Sequence, residues 1–214
     1  METTSSTAKF FDAYANDFSA IYGNQNTLVH AVVNRVFRRS MVLRYERTLA
    51  GCMPIEGKSV IDIGCGPGHY SVALATRGAA RVLGVDFAPG MIDIARTRAA
   101  DAGVTDRCTF RLGDFLEATG DETFDYAVVM GFMDYIADPR GLIEKVLRVC
   151  HGKAFFSFPV EGGLLAWQRR LRYRSRCPLY LYSEPQIRTL FSGLGARAVS
   201  VEPIDRDYFV TLTV

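Results

Sequence analysis

The 214-residue sequence has no hydrophobic run near the roughly 18 residues that a membrane-spanning helix needs. Its net charge is only +2, so no overall attraction to nucleic acid or to an anionic membrane is expected. The five cysteines are scattered and form no CxxC pair, so the sequence offers no cysteine metal site. The N-terminal segment METTSSTAKFFDAYAND is polar and unlike a secretory signal. Reduced, buried thiols in a cytoplasmic protein are therefore expected.

Short apolar runs alternate with helical patterns along the central part of the chain. The runs are Lys58–Ile63, Arg81–Asp86, Cys108–Leu112, Phe124–Met130 and Lys153–Phe158. The helical patterns lie between them, near Tyr70–Arg77, Gly90–Ala102 and Pro139–Cys150. Apolar strands that alternate with helices predict a parallel sheet buried on both faces.

Two further runs, Ala196–Val201 and Tyr208–Leu212, lie near the end of the sequence. Only the segment EPIDRD separates them, which is too short for a helical crossover, so an antiparallel hairpin is predicted. The predicted fold class is therefore α/β, Rossmann-like, with helices on both faces of a seven-stranded, mostly parallel sheet that has an antiparallel final strand.

The residues before the first strand show apolar side chains at helical spacing. The first of these patterns is an aromatic stripe made of Phe11, Tyr14, Phe18 and Tyr22, and residues 28–50 repeat the spacing. Such a stripe usually faces a core, but a helix without a strand of its own can also cap the crevice of the sheet. We predict an N-terminal helical lid over residues 1–52 and one α/β domain over residues 53–214, with an insertion at 159–183.

Three glycines, Gly64, Gly66 and Gly68, follow the first predicted strand and precede a helix. A helix N-terminus offers free N–H groups to an anion, and glycines let the backbone approach the ligand closely. The dinucleotide fingerprint G-x-G-x-x-G fails because His69 stands where its third glycine belongs, and the P-loop fails because no lysine follows Gly68. The spacing that fits is D-x-G-x-G-x-G, beginning at Asp62.

This motif, with the strand pattern, resembles the class I S-adenosylmethionine-dependent methyltransferases from about Lys58 to the C-terminus. The resemblance implies the strand order 3-2-1-4-5-7-6 and S-adenosyl-L-methionine as the cofactor. It also implies that the glycine loop borders the amino acid part of the cofactor. Asp86, which ends the second strand, would bind both ribose hydroxyls, and Phe87 would lie on the adenine face. Asp114 and the amide of Phe115 would meet the adenine edge.

The residues that the resemblance assigns to the cofactor are Tyr14, Asp62, Gly64, Cys65, Gly66, Gly68, Asp86, Phe87, Met91, Gly113, Asp114, Phe115 and Met130. Two of them have a second interpretation that stays open. Asp62 is also suited to accept hydrogen bonds that shape the glycine loop. Asp114 is also suited to form an ordinary Asx turn.

Methyl transfer from a sulfonium is an in-line displacement, so positioning of the acceptor dominates and an oxygen acceptor gains from a general base. Asp134, His69 and His30 are the candidate catalytic residues. Asp134 follows the fourth strand on the acceptor side, but it is also placed to cap a helix. His69 begins a helix, where the positive dipole favours a neutral imidazole, and it is equally suited to bind the cofactor carboxylate or to face solvent.

Several absences favour a small-molecule acceptor. The segment MGFM stands where methyltransferases of adenine or glutamine carry Asn/Asp-Pro-Pro-Tyr/Phe, and no Pro-Cys pair is present for cytosine carbon methylation. No separate recognition domain remains once the sheet and the lid are assigned, so no nucleic-acid partner is expected. A protein or polyamine N-methyltransferase and a non-catalytic cofactor-binding partner subunit remain alternatives, and either a monomer or a homodimer is compatible with the sequence.

The predicted insertion carries several arginines interleaved with aromatic residues. The candidate acceptor-binding residues are Tyr22, Tyr135, Arg169, Arg172 and Tyr180. The arginines could bind a carboxylate or phosphate of the acceptor, contact anionic lipid at a membrane surface, or form a solvated helix face. The order SFP…R…Y…L and the aromatic N-terminus are also similar to magnesium-protoporphyrin O-methyltransferases, whose acceptor carries a propionate carboxylate.

Overall fold

The computed structural model describes residues 28–163 and 178–214, with side chains described from Arg39 onward. Tyr14, Tyr22, Arg169 and Arg172, all singled out above, therefore lie outside the described residues, as does the side chain of His30. Within the described ranges, no helix has both the length and the apolar character that crossing a membrane requires.

The described chain alternates strands and helices around one sheet. The strands are β1 Ser59–Ile63, β2 Arg81–Asp86, β3 Cys108–Leu112, β4 Phe124–Val129, β5 Cys150–Pro159, β6 Ala198–Ile204 and β7 Asp207–Thr213. The helices with described bounds are α1 Leu28–Gly51, α2 His69–Thr76, α3 Pro89–Asp101, α4 Phe115–Ala118, α5 Pro139–Val149 and α6 Glu184–Phe191, and a 3-10 turn spans Met133–Tyr135.

The sheet has the order β3-β2-β1-β4-β5-β7-β6, which confirms the predicted topology. Strands β1 to β5 pair in parallel, and β7 runs antiparallel between β5 and β6. Ile204 pairs with Asp207, so the predicted hairpin closes with a two-residue turn. The direction of winding reverses between β1 and β4, and in such sheets a crevice opens at the carboxyl ends of the strands.

The two faces of the sheet are both apolar because successive strand side chains point to opposite sides. On one face, Ile61 and Ile63 belong to a core that includes Ile143 of α5 and Ile187 of α6. On the other face, the core joins Val60 to buried residues of α1, α2 and α3. Burial on both sides explains why the strands read as nearly continuous apolar runs.

Helix α1 packs on the second face and runs beside α2, where the rings of Tyr45 and Tyr70 lie 5.4 Å apart. At its C-terminal end, a side chain at Gly51 would overlap the ring of Phe155 on β5. Nearer the middle of α1, the side chains of Ser40 and Arg44 contact Asp207 of β7, which pairs with Pro159, the last residue of β5. The helix therefore crosses the sheet from the carboxyl edge toward the middle of β5.

The predicted boundaries differ from the structure at the C-terminal strands and at two helices. Strand β5 begins at Cys150, earlier than Lys153, because α5 runs directly into it. Strand β6 ends at Ile204, nearer the turn than the predicted Val201, and β7 begins at Asp207, one residue before the predicted Tyr208. Helices α4 and α6 were not predicted. For α6 a signal was present, since Gln186 accepts a hydrogen bond from the amide of Ser183 as in a capping box.

Candidate functional site

A cleft of about 190 Å³ opens at the carboxyl ends of β1 to β4. Its lining residues are Gly64, Val85, Asp86, Phe87, Gly113, Asp114, Phe115, Leu116, Phe132, Tyr135, Ile136, Ala137, Asp138 and Leu142. They come from the end of β2, from the segments that follow β1 to β4 and from α5, and they converge because parallel strands end at the same edge. This is the crevice that the reversal of strand order creates.

The glycine loop borders the cleft through Gly64, and two of its glycines are required sterically. Gly64 has φ +66°, and a Cβ there would overlap the ring of Phe132, another residue of the cleft. Gly68 has φ +75° and precedes the first residue of α2, and a Cβ there would lie 3.0 Å from both Ala95 and Phe110. Because only glycine tolerates both the positive φ and the lack of space, the loop backbone lies directly against its neighbours.

Asp62 lies behind the loop and does not line the cleft. Its carboxylate is buried, and one oxygen accepts hydrogen bonds from the amide of Ser71 at 3.1 Å and from the hydroxyl of Ser71 at 2.6 Å. Burial raises the pKa of Asp62 to about 7, against the lowering effect of the Ser71 donors. Asp62 therefore connects β1 to α2, the two elements on either side of the glycine loop. This corresponds to the second interpretation of Asp62 from the sequence, in which it accepts hydrogen bonds that shape the loop.

Asp86 ends β2 and lines the cleft with 8% of its surface exposed. One carboxylate oxygen accepts from the amide of Gly66 at 2.8 Å and the other from the amide of Ala88 at 2.9 Å. Burial raises its pKa above the usual value, and the backbone donors oppose that rise. Each carboxylate oxygen can accept more than one hydrogen bond, so Asp86 is oriented by the backbone while still able to bind ligand hydroxyls.

The middle of the cleft is apolar. The rings of Phe87 and Phe132 are tilted to each other with centroids 6.4 Å apart, and both line the cavity with Ile136 and Leu142. Aromatic and aliphatic surfaces at this spacing suit a flat, partly apolar ligand group.

The segment after β3 closes one end of the cleft. Asp114 is exposed, and its side chain accepts a hydrogen bond from the amide of Leu116, the second residue of the short helix α4. The Asx-type bond considered from the sequence is therefore present, and Asp114 lines the cleft as well. Lys145 of α5 lies 5.5 Å from the ring centroid of Phe115 and donates to the carbonyl of Leu116 at 2.5 Å. Lys145 of α5 thus stabilises this wall.

The 3-10 turn after β4 forms the opposite wall. Tyr135 lines the cleft, whereas Asp134 is buried with 2% of its surface exposed and is not among the lining residues. The backbone carbonyl of Asp134 accepts from the amide of Tyr180 at 2.8 Å. Tyr182 donates its hydroxyl to the carbonyl of Met133 at 3.2 Å. Residues 180–182 therefore support the turn through hydrogen bonds to its backbone.

His69 is half-buried at the start of α2 and does not line the cleft. Burial, followed by the positive charge of Arg98, lowers its pKa to about 4. The imidazole is therefore neutral at pH 7, as expected from the sequence, but desolvation is the main cause. A base with a pKa this far below neutral pH is intrinsically weak.

The structure brings six of the predicted cofactor residues together around the cleft: Gly64, Asp86, Phe87, Gly113, Asp114 and Phe115. Asp62, Cys65, Gly66, Gly68, Met91 and Met130 surround or support that group without lining it. Sequence reasoning missed Phe132, Ile136 and Leu142, which complete the apolar part. Phe132 and Ile136 lie in the segment MGFMDYIADP after the fourth strand, but the orientation of their side chains depends on the turn geometry.

Comparison with known proteins gives a domain assignment. Residues 55–159 match the family model described as a methyltransferase domain. A ubiquinone biosynthesis O-methyltransferase of Neisseria meningitidis is 35% identical over 112 residues, which are 50% of this chain and 46% of that protein. One of Cereibacter sphaeroides is 37% identical over 95 residues, 44% of this chain and 38% of that protein. The chain thus spans less than half the length of these curated relatives.

Solved structures share the fold. Magnesium protoporphyrin IX methyltransferase of Synechocystis with bound SAH superposes with a TM-score of 0.79 at 18% identity, over 97% of both chains. The methyltransferase in a complex with the Trm112 activator of Haloferax volcanii superposes with a TM-score of 0.73 at 19% identity, over 96% of both chains. At these identities the likeness concerns the fold, and it extends over nearly the whole chain, beyond residues 55–159.

Proposed function

We propose that this chain, whose residues 55–159 match a methyltransferase domain, is a class I enzyme that transfers a methyl group from S-adenosylmethionine to a small-molecule acceptor, with oxygen favoured as the methylated atom. The observation that carries the proposal is the placement of Asp86. Its carboxylate ends β2, lines the cleft and is oriented by two backbone amides, beside a glycine loop that lies against the same cavity.

The residues of the cleft fit S-adenosylmethionine in polarity and shape. Asp86 keeps acceptor capacity for the two ribose hydroxyls. Phe87 and the apolar residues near it offer surfaces for the adenine, with Asp114 at its edge. The glycine loop, in which a side chain at Gly64 would overlap Phe132, leaves backbone rather than side chains facing the amino acid part of the cofactor.

When bound, S-adenosylmethionine supplies an electrophilic methyl group on its sulfonium. The chain itself contributes orientation, since a displacement that proceeds in line is governed by how well the reacting groups are positioned. The turn Met133–Tyr135 would form the boundary between cofactor and acceptor, with Tyr135 facing the cleft. Asp134 remains the candidate general base, and it would need to reach an acceptor proton from its buried position.

An oxygen acceptor is supported by the relatives that are named O-methyltransferases of ubiquinone biosynthesis. Arg169, Arg172 and Tyr180 remain the candidates for binding an acidic group of the acceptor. The buried free thiols of Cys52, Cys65, Cys108 and Cys150 favour a reducing compartment, the cytoplasm, as the place of action.

The activity is tested by incubating the full chain with S-adenosylmethionine and panels of phenols, carboxylic acids, amines and a polyamine, and measuring S-adenosylhomocysteine release. Turnover with phenols or acids, abolished in Asp86→Ala, is the expected result. Turnover with amines alone would change the assignment to N-methylation. If the protein binds the cofactor but no small molecule is methylated, a partner-subunit role would replace the proposed one.

A further inference from the structure

Helix α1 precedes the matched methyltransferase domain, yet two of its side chains reach the carboxyl edge of the sheet. The hydroxyl of Ser40 donates to Oδ2 of Asp207, and Nε of Arg44 lies 3.6 Å from the same oxygen. Ser40 and Asp207 are almost fully buried, and 13% of the Arg44 side chain is exposed. Residues four apart share one face of a helix, so both side chains approach the carboxylate together.

Arg44 also makes a second contact, with a different strand. Its Nη1 donates to the hydroxyl oxygen of Ser157 at 3.1 Å, and Ser157 lies buried on β5. The same hydroxyl oxygen accepts from the amide of Gly131 at 2.8 Å. A chain of hydrogen bonds therefore runs from Arg44 through Ser157 to the residue where the segment after β4 turns, at φ +69°.

Gly131 directly precedes Phe132, whose ring lines the cleft and contacts Gly64 of the glycine loop. The direction of the chain at Gly131 sets where that ring lies. The Gly131 amide is held by Ser157, and Ser157 is held by Arg44. Only two hydrogen bonds therefore separate the guanidinium from the residue that precedes Phe132.

We infer that Arg44 is a positioning residue for the cofactor cleft, acting through Ser157 and Gly131 on Phe132, and that α1 is thereby part of the functional unit. The inference rests on the proposed function, because it concerns the same cleft. Arg44 suits this role because the planar guanidinium donates in fixed directions and can contact Asp207 and Ser157 at once. A lysine carries the same charge but cannot donate to two acceptors in fixed directions.

Arg47 provides a matched control on the same helix. It lies one turn further along and pairs with Glu202 of β6, so it too connects α1 to the C-terminal hairpin. Both side chains of that pair are nearly half exposed, and among the described contacts it has none with Ser157 or Gly131. Arg44→Met and Arg47→Met both remove a cation that joins α1 to the hairpin, but only Arg44→Met removes the contact that leads to the cleft.

Amide hydrogen exchange of the free protein, measured by NMR, tests the hydrogen-bond chain without any cofactor. We expect the Gly131 amide to exchange about tenfold faster in Arg44→Met and in Ser157→Ala than in the wild type. The reason is that its hydrogen bond to Ser157 is weakened or lost, so a local opening exposes the amide to solvent more often. Arg47→Met should leave it unchanged. Wild-type exchange at Gly131 in both Arg44→Met and Ser157→Ala would overturn the inference.

Calorimetry with S-adenosylhomocysteine tests the consequence for the cleft. We expect Arg44→Met to raise the Kd about five- to tenfold, within the range of couplings transmitted through packed networks, and Arg47→Met to leave it within about twofold. The double variant Arg44→Met/Ser157→Ala should bind no more weakly than the weaker-binding of the two single variants, since both act along one path. Arg44→Lys should recover only part of the affinity.

A wild-type Kd in a folded Arg44→Met variant, or additive losses in the double variant, would contradict the inference. If Arg44→Met fails to fold, Arg44→Lys and Ser157→Ala carry the same comparison with Arg47→Met. A wild-type protein that binds no S-adenosylhomocysteine would refute the proposed function instead. The exchange result at Gly131 would still decide whether the hydrogen-bond chain exists.

Discussion

The hydroxyl of Tyr182 donates to the carbonyl oxygen of Met133 at 3.2 Å, so a residue near α6 supports the turn that lines the cleft. The Tyr182 ring packs edge-on against Phe158 with centroids 5.0 Å apart. Burial, reinforced by the negative charge of Asp134, raises the pKa of Tyr182 to about 12. The phenol is therefore protonated at any physiological pH and remains a donor.

Replacing Tyr182 with Phe keeps the ring packing and removes this donor. We expect a loss of about 1 kcal/mol in unfolding free energy, the usual value for one buried hydrogen bond, and weaker S-adenosylhomocysteine binding because the turn loosens. Chemical denaturation and calorimetry measure the two effects. Tyr126→Phe on β4 is the control, since no hydrogen bond of the Tyr126 hydroxyl is among the described contacts. Equal effects of the two variants would remove the special role of Tyr182.

Replacing Gly64 with Ala places a Cβ where it overlaps Phe132, at a backbone φ of +66°. We expect a destabilisation of about 3 kcal/mol or more, from left-handed strain together with overpacking, and loss of cofactor binding. Gly103→Ala separates the two causes. Gly103 has φ +65° but open space around its missing Cβ, so strain alone of about 1–2 kcal/mol is expected there. Thermal denaturation that shows the same loss for both would exclude a clash at Gly64.

His69 should remain neutral throughout the physiological pH range. Its pKa is lowered to about 4 in the folded protein, so the unfolded chain binds a proton between about pH 6.5 and 4 that the folded chain does not. The contribution of His69 to stability is therefore present above about pH 6.5 and lost as the pH falls toward 4. NMR titration, with His69→Gln to assign the signal, should give a midpoint near 4. A midpoint above 6 would contradict the burial of the imidazole.

The pH dependence of stability that Asp62 contributes should have the opposite sign to that of His69. Its pKa is raised to about 7, so between about pH 4 and 7 the folded protein binds the extra proton and stability falls as the pH rises. Asp62→Asn keeps an oxygen acceptor for Ser71 and removes the titration. The difference in unfolding free energy between variant and wild type should therefore change across this window. A pH-independent difference would show that the Asp62 pKa is not raised.

The sequence predicted the parts of the site that follow strands directly. Asp86, Gly113 and Asp114 lie in the cleft because each stands at a strand end, and strand ends can be read from apolar runs and glycines. The predicted bounds of β2 and β3 agree with the structure for the same reason.

The parts that sequence reasoning missed depend on contacts between distant residues. Arg44 and Ser157 are 113 residues apart, and Tyr182 and Met133 are 49 apart. No local periodicity or motif encodes such a pairing, since it depends on how the helices pack across the sheet. Phe132 was missed as a wall residue for a related reason, because its direction follows from the left-handed turn at Gly131.

Binding of S-adenosylmethionine in the cleft should depend on Asp86 more than on any other carboxylate of the site. Titration calorimetry with S-adenosylmethionine and S-adenosylhomocysteine tests it directly, with Asp93→Ala on the exposed surface of α3 as the matched carboxylate control. We predict one site per chain in the wild type and in Asp93→Ala, and an affinity at least about tenfold lower in a folded Asp86→Ala variant, since two hydroxyl bonds to a carboxylate are lost. Absence of binding in the wild type, or equal affinity in Asp86→Ala, would contradict the account.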